Sequence, residues 1–287
     1  MTASARGMLW MFGAALLFSA SVGFVKHLSE SMTPFQIVFF RQIMGVAFML
    51  PWLLRVGLSV IHTDRLSLHC WRAFFSYAGM AASYYAFTMI YIADAVALQF
   101  TTPLFTTILA ILFLKENVRI HRWLALFFGF VGVLIIVRPG FVEISLGIPI
   151  ALLAAVFYAG SNVTNRALSR TDATASILFY SFILQIPLAT IPAMATWVTP
   201  DLVVLPFLLG FGVNAIAAQW CLTRALAVAE ASLVEPVMFV RLPCVTVIGY
   251  FLFAQIPDNW TWIGAIVIFS STYLLARLEA RQLKNKH

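Results

Sequence analysis

The sequence predicts an all-α membrane protein of ten transmembrane helices, arranged as two inverted five-helix repeats. Three observations carry that prediction. Of 287 residues, 62% are apolar and only 10% charged, far from the roughly 45–50% apolar and 25% charged of soluble domains. The apolar residues gather into runs of about 20, the length that crosses a bilayer core as a helix. The first run also lies over a later one after a shift of 140 positions.

Taken in order, the expected spans are 8–28, 34–54 (carrying Arg41), 70–91 (carrying Tyr84 and Tyr85) and 95–114 (carrying Gln99, Thr102 and Thr106). A fifth, 121–138, holds Ala125, Gly129 and Gly132 at spacings that bring helices close. The second set is 147–166, 174–196, 203–223, 231–253 and 260–277. The divisions between the third and fourth and between the eighth and ninth are the least marked, punctuated only by "ADA" and "AEA".

With ten spans and both termini on one side, all but four of the Lys and Arg residues share that side. Lys26 and Arg138 lie opposite, and Arg41 and Arg241 fall inside spans. Cytoplasmic loops collect Lys and Arg, so the asymmetry predicts an inner, or plasma, membrane protein with both termini in the cytoplasm. The net charge of +7 is thus a topology signal, and no nucleic-acid partner is expected.

The 140-residue shift sets Gly7 on Gly147, Ala14 on Ala154, Ala15 on Ala155, Ser21 on Ser161, Lys26 on Arg166 and Phe39 on Phe179. Two repeats, 1–140 and 141–287, follow. An odd number of spans per repeat inverts the second copy in the membrane, an arrangement suited to alternating access. Residues 8–25 with "SAS" at 19–21 could pass for a signal peptide, but their counterpart inside the chain predicts that they are retained.

The element "ALQFTTPLFTTILAILFLKEN" (97–117) followed by "GFVGVLIIVRP" (129–139), and the element "RALAVAEASLVEP" (224–236) leading into "GYFLFAQIPDNWTWIGAIVIFSSTYLLARLE" (249–279), resemble the EamA branch of the drug/metabolite transporter superfamily. The likeness covers nearly the whole chain. It implies a secondary transporter of small organic metabolites, with a central cavity lined by helices 1–4 and 6–9 and with helices 5 and 10 peripheral. That family commonly ends its fourth and ninth helices with an acidic residue. Glu116 fits the first position here, and Gln255 departs from the second.

The ninth span holds Glu235 and Arg241, each costing roughly 2.5–3.5 kcal/mol near the centre of a spanning helix. On a regular helix the two diverge by about 120°. Pro236 and Pro243 favour a bend or break there, and irregular backbone at membrane depth is tolerated where it lines a cavity or is buried in protein. Arg241 is a candidate for a substrate carboxylate, and Glu235 for an amine or a proton. Structural ties to other helices are the competing expectation for both. Arg41, about 10 Å in from its helix end at 1.5 Å per residue, is a further candidate that could instead snorkel outward.

Asn162, Asn165 and Tyr158 on the sixth span, Gln99 on the fourth, Tyr84 on the third and Trp220 on the eighth complete the candidate substrate-binding set. Thr102 and Thr106 are expected to hydrogen-bond between helices, and most Trp residues to form the interfacial belt. An enzyme is not expected. There is no H-E-x-x-H, no phosphate loop of the G-x-x-x-x-G-K-[ST] form and no nucleophile set beside a base. His27, His62, His69, His121 and His287 sit in predicted loops, tails or span ends, where a solvated role is expected rather than metal ligation. Cys70, Cys221 and Cys244 make neither a metal site nor a complete disulfide framework, so no cofactor or metal is expected.

The expected function is export of an amino-acid-like or zwitterionic solute, with proton coupling through Glu235 and a homodimer through the fifth helix both open. Uptake of a nucleoside-like or vitamin-like solute, or a non-transport membrane scaffold, are the alternatives.

Overall fold

The computed structural model describes residues 3–57, 62–114, 120–138, 145–169, 171–228 and 235–284. Among them the chain is helical, with no strand. The helices are α1 (Ala3–Leu28), α2 (Pro34–Val56), α3 (Leu66–Met89), α4 (Ile92–Gln99), α5 (Thr102–Leu114), α6 (Ile120–Val137), α7 (Gly147–Leu168), α8 (Thr174–Ala195), α9 (Leu205–Val228), α10 (Arg241–Phe253) and α11 (Asn259–Lys284). Six segments are long and apolar enough to cross a bilayer: Ala5–Leu28, Pro34–Pro51, Ile92–Leu109, Gly147–Asn165, Ser176–Ala195 and Leu202–Ala225. The third, fifth and tenth expected spans coincide with α3, α6 and α11. The ninth coincides with α10 and the 3-10 turn Glu235–Val240 before it.

Local sequence sets several of these boundaries. At the start of α2, Thr33 and Gln36 form a capping box, each side chain satisfying the other's backbone N–H, and Pro34 fills the first turn where no donor is needed. Pairing between helices then follows the small residues. Gly79 of α3 receives the Tyr158 ring of α7, and Gly160 of α7 receives Phe75 of α3. Gly45 of α2 lies under Phe182 of α8. Asn214 of α9 donates to the Leu17 carbonyl (2.9 Å) and to Ser21 Oγ (2.8 Å) of α1. Gly132 of α6 faces Gly264 of α11 so closely that a Cβ on either would stand 2.6–2.8 Å from the other's carbonyl oxygen. Gly129, in turn, is filled by Leu104 of α5. The small-residue face of α6 is therefore occupied from within the chain, with the Ala125 side chain outside the described residues.

The principal pairings are α1 with α9 and α10, α7 with α3 and with α4 and α5, α2 with α8 and α9, α3 with α8, α4 with α10, and α6 with α11. Exchanging first-half for second-half spans maps this set onto itself.

His69 departs from expectation. Its position near a span end suggests solvent, yet it is 1% exposed, because the α2–α3 and α7–α8 connections fold over it. His69 Nε2 lies 2.7 Å from Asp172 Oδ2, Thr63 donates to the same oxygen at 2.6 Å, and Tyr180 packs on the imidazole at 4.6 Å. Arg72, one turn along α3, donates to the Ile177 carbonyl (3.2 Å) and to Asn165 Oδ1 (3.1 Å). The hydrogen bond from Thr63, assisted by His69 and Thr171, holds the Asp172 carboxyl well below its usual range, at about 2. A carboxyl depressed in the folded state stabilises fully above its unfolded value of about 4 and loses that contribution as the pH falls toward 2. Asp172→Asn is therefore expected to lower the melting temperature in detergent at pH 7, with the gap to wild type closing in acid. Equal melting at pH 7 would contradict the role given to this cluster.

Candidate functional site

Two of the expected spans, the fourth and the ninth, are broken, and the breaks meet. In the fourth, α4 ends at Gln99 because Pro103 has no N–H to offer the Gln99 carbonyl. Thr102 Oγ1 takes that carbonyl instead (2.7 Å), Thr101 Oγ1 bonds the Leu98 carbonyl (2.6 Å), and the chain restarts as α5. Freed backbone groups at membrane depth are thus satisfied locally. Thr102 and Thr106, expected to bond across helices, bond to their own backbone. Their hydroxyls reach carbonyls three and four residues back more readily than a neighbour.

In the ninth span, the break that Pro236 and Pro243 predict falls between the 3-10 turn Glu235–Val240 and α10, which opens on Arg241. Glu235 and Arg241 hence do not share one regular helix, and the 120° divergence expected of them does not apply. The Glu235 side chain and all of Glu116 lie outside the described residues.

Arg241 Nη1 donates to Gln99 Oε1 at 3.3 Å, joining the two breaks. That bond fixes the amide orientation, leaving Gln99 Nε2 to donate to Ser83 Oγ of α3 at 3.1 Å. Tyr158 of α7 packs against Gly79, one turn before Ser83 on α3. A polar chain Arg241–Gln99–Ser83 therefore joins the start of α10 to the end of α4 and to α3, with the Tyr158 ring beside it. Arg241 has unused capacity within it, since Nε is buried without a partner among the described residues. Unmet donors on a buried guanidinium are costly, and a bound anion would satisfy them.

Tyr84 of α3, 8% exposed, stacks on Phe87 (6.2 Å) and meets the edge of Phe211 of α9 (6.4 Å). Tyr84 stands next to Ser83 and one turn beyond Met80 on α3. Arg41 does not snorkel outward. Its Nη1 points to Met80 Sδ of α3 (3.6 Å) and its guanidinium lies 6.0 Å from the Phe182 ring centroid of α8. Next to it, Gln42 Nε2 bonds Gln185 Oε1 (3.0 Å) and approaches the same Met80 sulfur (3.7 Å), while Gln42 Oε1 is buried without a partner among the described residues.

Arg241, Gln99, Tyr84, Tyr158 and Arg41 thus come together. Asn162, Asn165 and Trp220 do not join them. Asn162 is exposed, Asn165 is exposed and engaged by Arg72, and Trp220 is 58% exposed with the Arg224 guanidinium 5.0 Å above its ring. Asn162 and Asn165 share the Tyr158 face of α7, but they lie one and two turns further along the helix, where Asn165 meets Arg72 of α3 instead of the polar chain. Ser83, Gln42, Gln185 and Met80 belong to the cluster and went unselected. The signal for Gln42 was present: a second amide inside a span, adjacent to Arg41.

Gln255, in place of the acidic residue the resemblance implies, ends α10 and caps α4. Its Oε1 accepts from the Ile92 N–H at 3.1 Å, the first amide of a helix whose Tyr91 supplies no side-chain cap. Gln255→Ala is expected to cost about 0.5–2 kcal/mol, as for other lost caps, read as a lower melting temperature without a change in solute preference. Unchanged melting would contradict the capping role.

Among the described residues no group of three or more His, Cys, Asp or Glu is placed to hold a metal. The model of the EamA-like transporter family matches residues 5–138 and again 145–277. The chain is 27% identical to the S-adenosylmethionine uptake transporter of Rickettsia prowazekii, over 98% of this chain and 96% of that protein. It is 32% identical to the riboflavin transporter of Brucella anthropi (85% and 88%) and 30% identical to the pseudopaline exporter CntI of Pseudomonas aeruginosa (94% and 96%). A solved crystal structure shares the fold at a TM-score of 0.65 and 18% identity, covering 97% of this chain and 99% of that one.

Proposed function

Because the chain belongs to the EamA-like transporter family, a membrane family of small-molecule carriers rather than enzymes, we propose that it moves a small carboxylate-bearing, zwitterionic organic metabolite by alternating access. The observation that carries this is Arg241: a guanidinium at the junction of two broken spans, bonded to Gln99 and left with a buried, unpartnered Nε. A planar guanidinium matches a carboxylate with two parallel bonds. Gln42 Oε1, a buried acceptor without a partner, suits an N–H of the same solute, and Glu235 is the candidate for its amine or for a coupled proton.

The ten-span, two-repeat plan is part of the proposal. It is supported by the doubled family match and by helix pairings that survive exchange of the halves. With the termini in the cytoplasm, as the Lys and Arg distribution suggests, the His69–Asp172 cluster closes the cytoplasmic end and the Gln36 contacts with Val198 close the outer end. Relatives named for uptake and for export both match over most of the chain, so the proposal concerns the solute and its site, with export the expected direction.

A second solute class is favoured by the Tyr84, Phe87 and Phe211 rings beside the polar chain: a flat heteroaromatic compound, in keeping with the names of the riboflavin and S-adenosylmethionine relatives. Counterflow in proteoliposomes, with labelled amino acids, nucleosides and vitamins, separates the two. Saturable exchange of carboxylate zwitterions is expected. Exchange confined to neutral heteroaromatic solutes would overturn the first proposal, and exchange of nothing by well-folded protein would overturn both.

A further inference from the structure

Arg41 and Arg241 are two partly buried guanidiniums that converge on one turn of α3. Arg41 contacts Met80, and Arg241 reaches Ser83 through Gln99, so they serve one site rather than two. Among the described residues neither forms an ion pair. Arg241 has an amide oxygen at 3.3 Å and an orphaned Nε. Arg41 has a thioether sulfur at 3.6 Å, a weak acceptor already approached by Gln42, and the Phe182 ring beneath it with its centroid at 6.0 Å. Cations withdrawn from water ordinarily sit against carboxylates, and here no described carboxylate meets either guanidinium: Asp94 is bonded by Thr261, Asp172 by His69 and Thr63, Asp258 by Arg138 and Glu30 by His27, while Asp64 and Asp201 are exposed.

We infer that the carried solute presents two separated acidic groups, one received by Arg241 and the other by Arg41, with the aromatic rings and Met80 around the carbon chain between them. The inference rests on the carboxylate-anchoring role proposed for Arg241 and adds a second anchor and a narrower substrate class, dicarboxylic amino-acid-like compounds. Arg41 is suited to the second role by position. It is drawn inward from α2 onto α3 and α8, whereas Arg241 approaches from the opening of α10 against α4. Two like charges in a low-dielectric site repel, and a dianion relieves both at once where a monoanion relieves one. The unpartnered Gln42 Oε1 beside Arg41 adds an acceptor for the amine of such a solute.

The test is counterflow by the full-length protein in proteoliposomes, with acid and amide pairs that differ in one group: labelled glutamate against glutamine, aspartate against asparagine, and 2-aminoadipate as the longer diacid. Phosphoserine supplies a phosphate in place of the second carboxylate. Wild type is expected to prefer one diacid over its amide by about tenfold or more in KM. Arg41→Gln is expected to erase that preference by raising the diacid's KM more than the amide's, and Arg41→Lys to retain part of it. Equal handling of acid and amide by wild type, or an Arg41→Gln effect that falls equally on both, would overturn the second anchor. If monocarboxylates were exchanged in an Arg241-dependent way, Arg241 would still stand as the first. Preference for phosphoserine over every diacid would overturn the dicarboxylate assignment. Exchange of no carboxylate at all would remove both roles together.

Discussion

Arg241→Ala is expected to lower transport by at least about 30-fold in kcat/KM, the consequence of losing a buried, charge-assisted contact worth roughly 2–5 kcal/mol. Arg241→Lys is expected to be nearly as damaging. Lysine carries the charge but not the planar fork, and its ammonium cannot at once hold Gln99 Oε1 at 3.3 Å and offer two parallel donors to a carboxylate. The two variants separate a site from a structural tie. If Arg241 only pinned α10 to α4, both would lower the melting temperature and Lys would recover much of the loss. Initial rates of exchange measured beside thermal melting, with unaltered transport in both variants, would remove Arg241 from the site.

The largest effect on folding is expected at the α6–α11 crossing. A Cβ at Gly264 would stand 2.6 Å from the Gly132 carbonyl oxygen and 2.5 Å from Ile136, and one at Gly132 would stand 2.8 Å from the Gly264 carbonyl oxygen and 3.0 Å from the Ile268 nitrogen. Each Cβ would meet the facing glycine's carbonyl oxygen as well as an isoleucine side chain, and because the backbone oxygen cannot turn aside, the helices themselves must separate. Overpacking of this kind costs about 1–3 kcal/mol and more where backbone must move, and in a membrane the loss of close helix contact has no hydrophobic term to offset it. Gly264→Val is expected to reduce the folded yield in detergent sharply. Gly13→Ala is the control, since its Cβ would meet only Cys221 Sγ at 3.7 Å. Equal recovery of both variants by size-exclusion chromatography would show that the crossing tolerates separation.

The helices themselves were legible in the sequence because membrane spans announce themselves by length and apolarity, and the observed helix limits lie within a few residues of most expected ones. The break at α10 was legible too, from Pro236 and Pro243. The break between α4 and α5 was not, although Pro103 marks it as plainly, because the apolar run continues through it and suggests one helix. Arg241, Gln99, Tyr84, Tyr158 and Arg41 could be picked because charges, amides and phenols are few at membrane depth. Their convergence could not, since helical spacing fixes a face but not which neighbour it meets. The same limit misplaced Asn162, Asn165 and Trp220, and it hid His69, whose burial depends on Asp172 and Tyr180, about a hundred residues away in sequence.

The most direct test of the central claim, that Arg241 receives a carboxylate of the carried solute, is a comparison of one exchanged amino-acid solute with its α-carboxamide in proteoliposome counterflow, for wild type and Arg241→Gln. Wild type is expected to reject the carboxamide, and Arg241→Gln to handle the two alike with a folded fraction equal to wild type. A preference for the carboxylate that persists undiminished in Arg241→Gln would place the solute's anchor elsewhere and contradict the account.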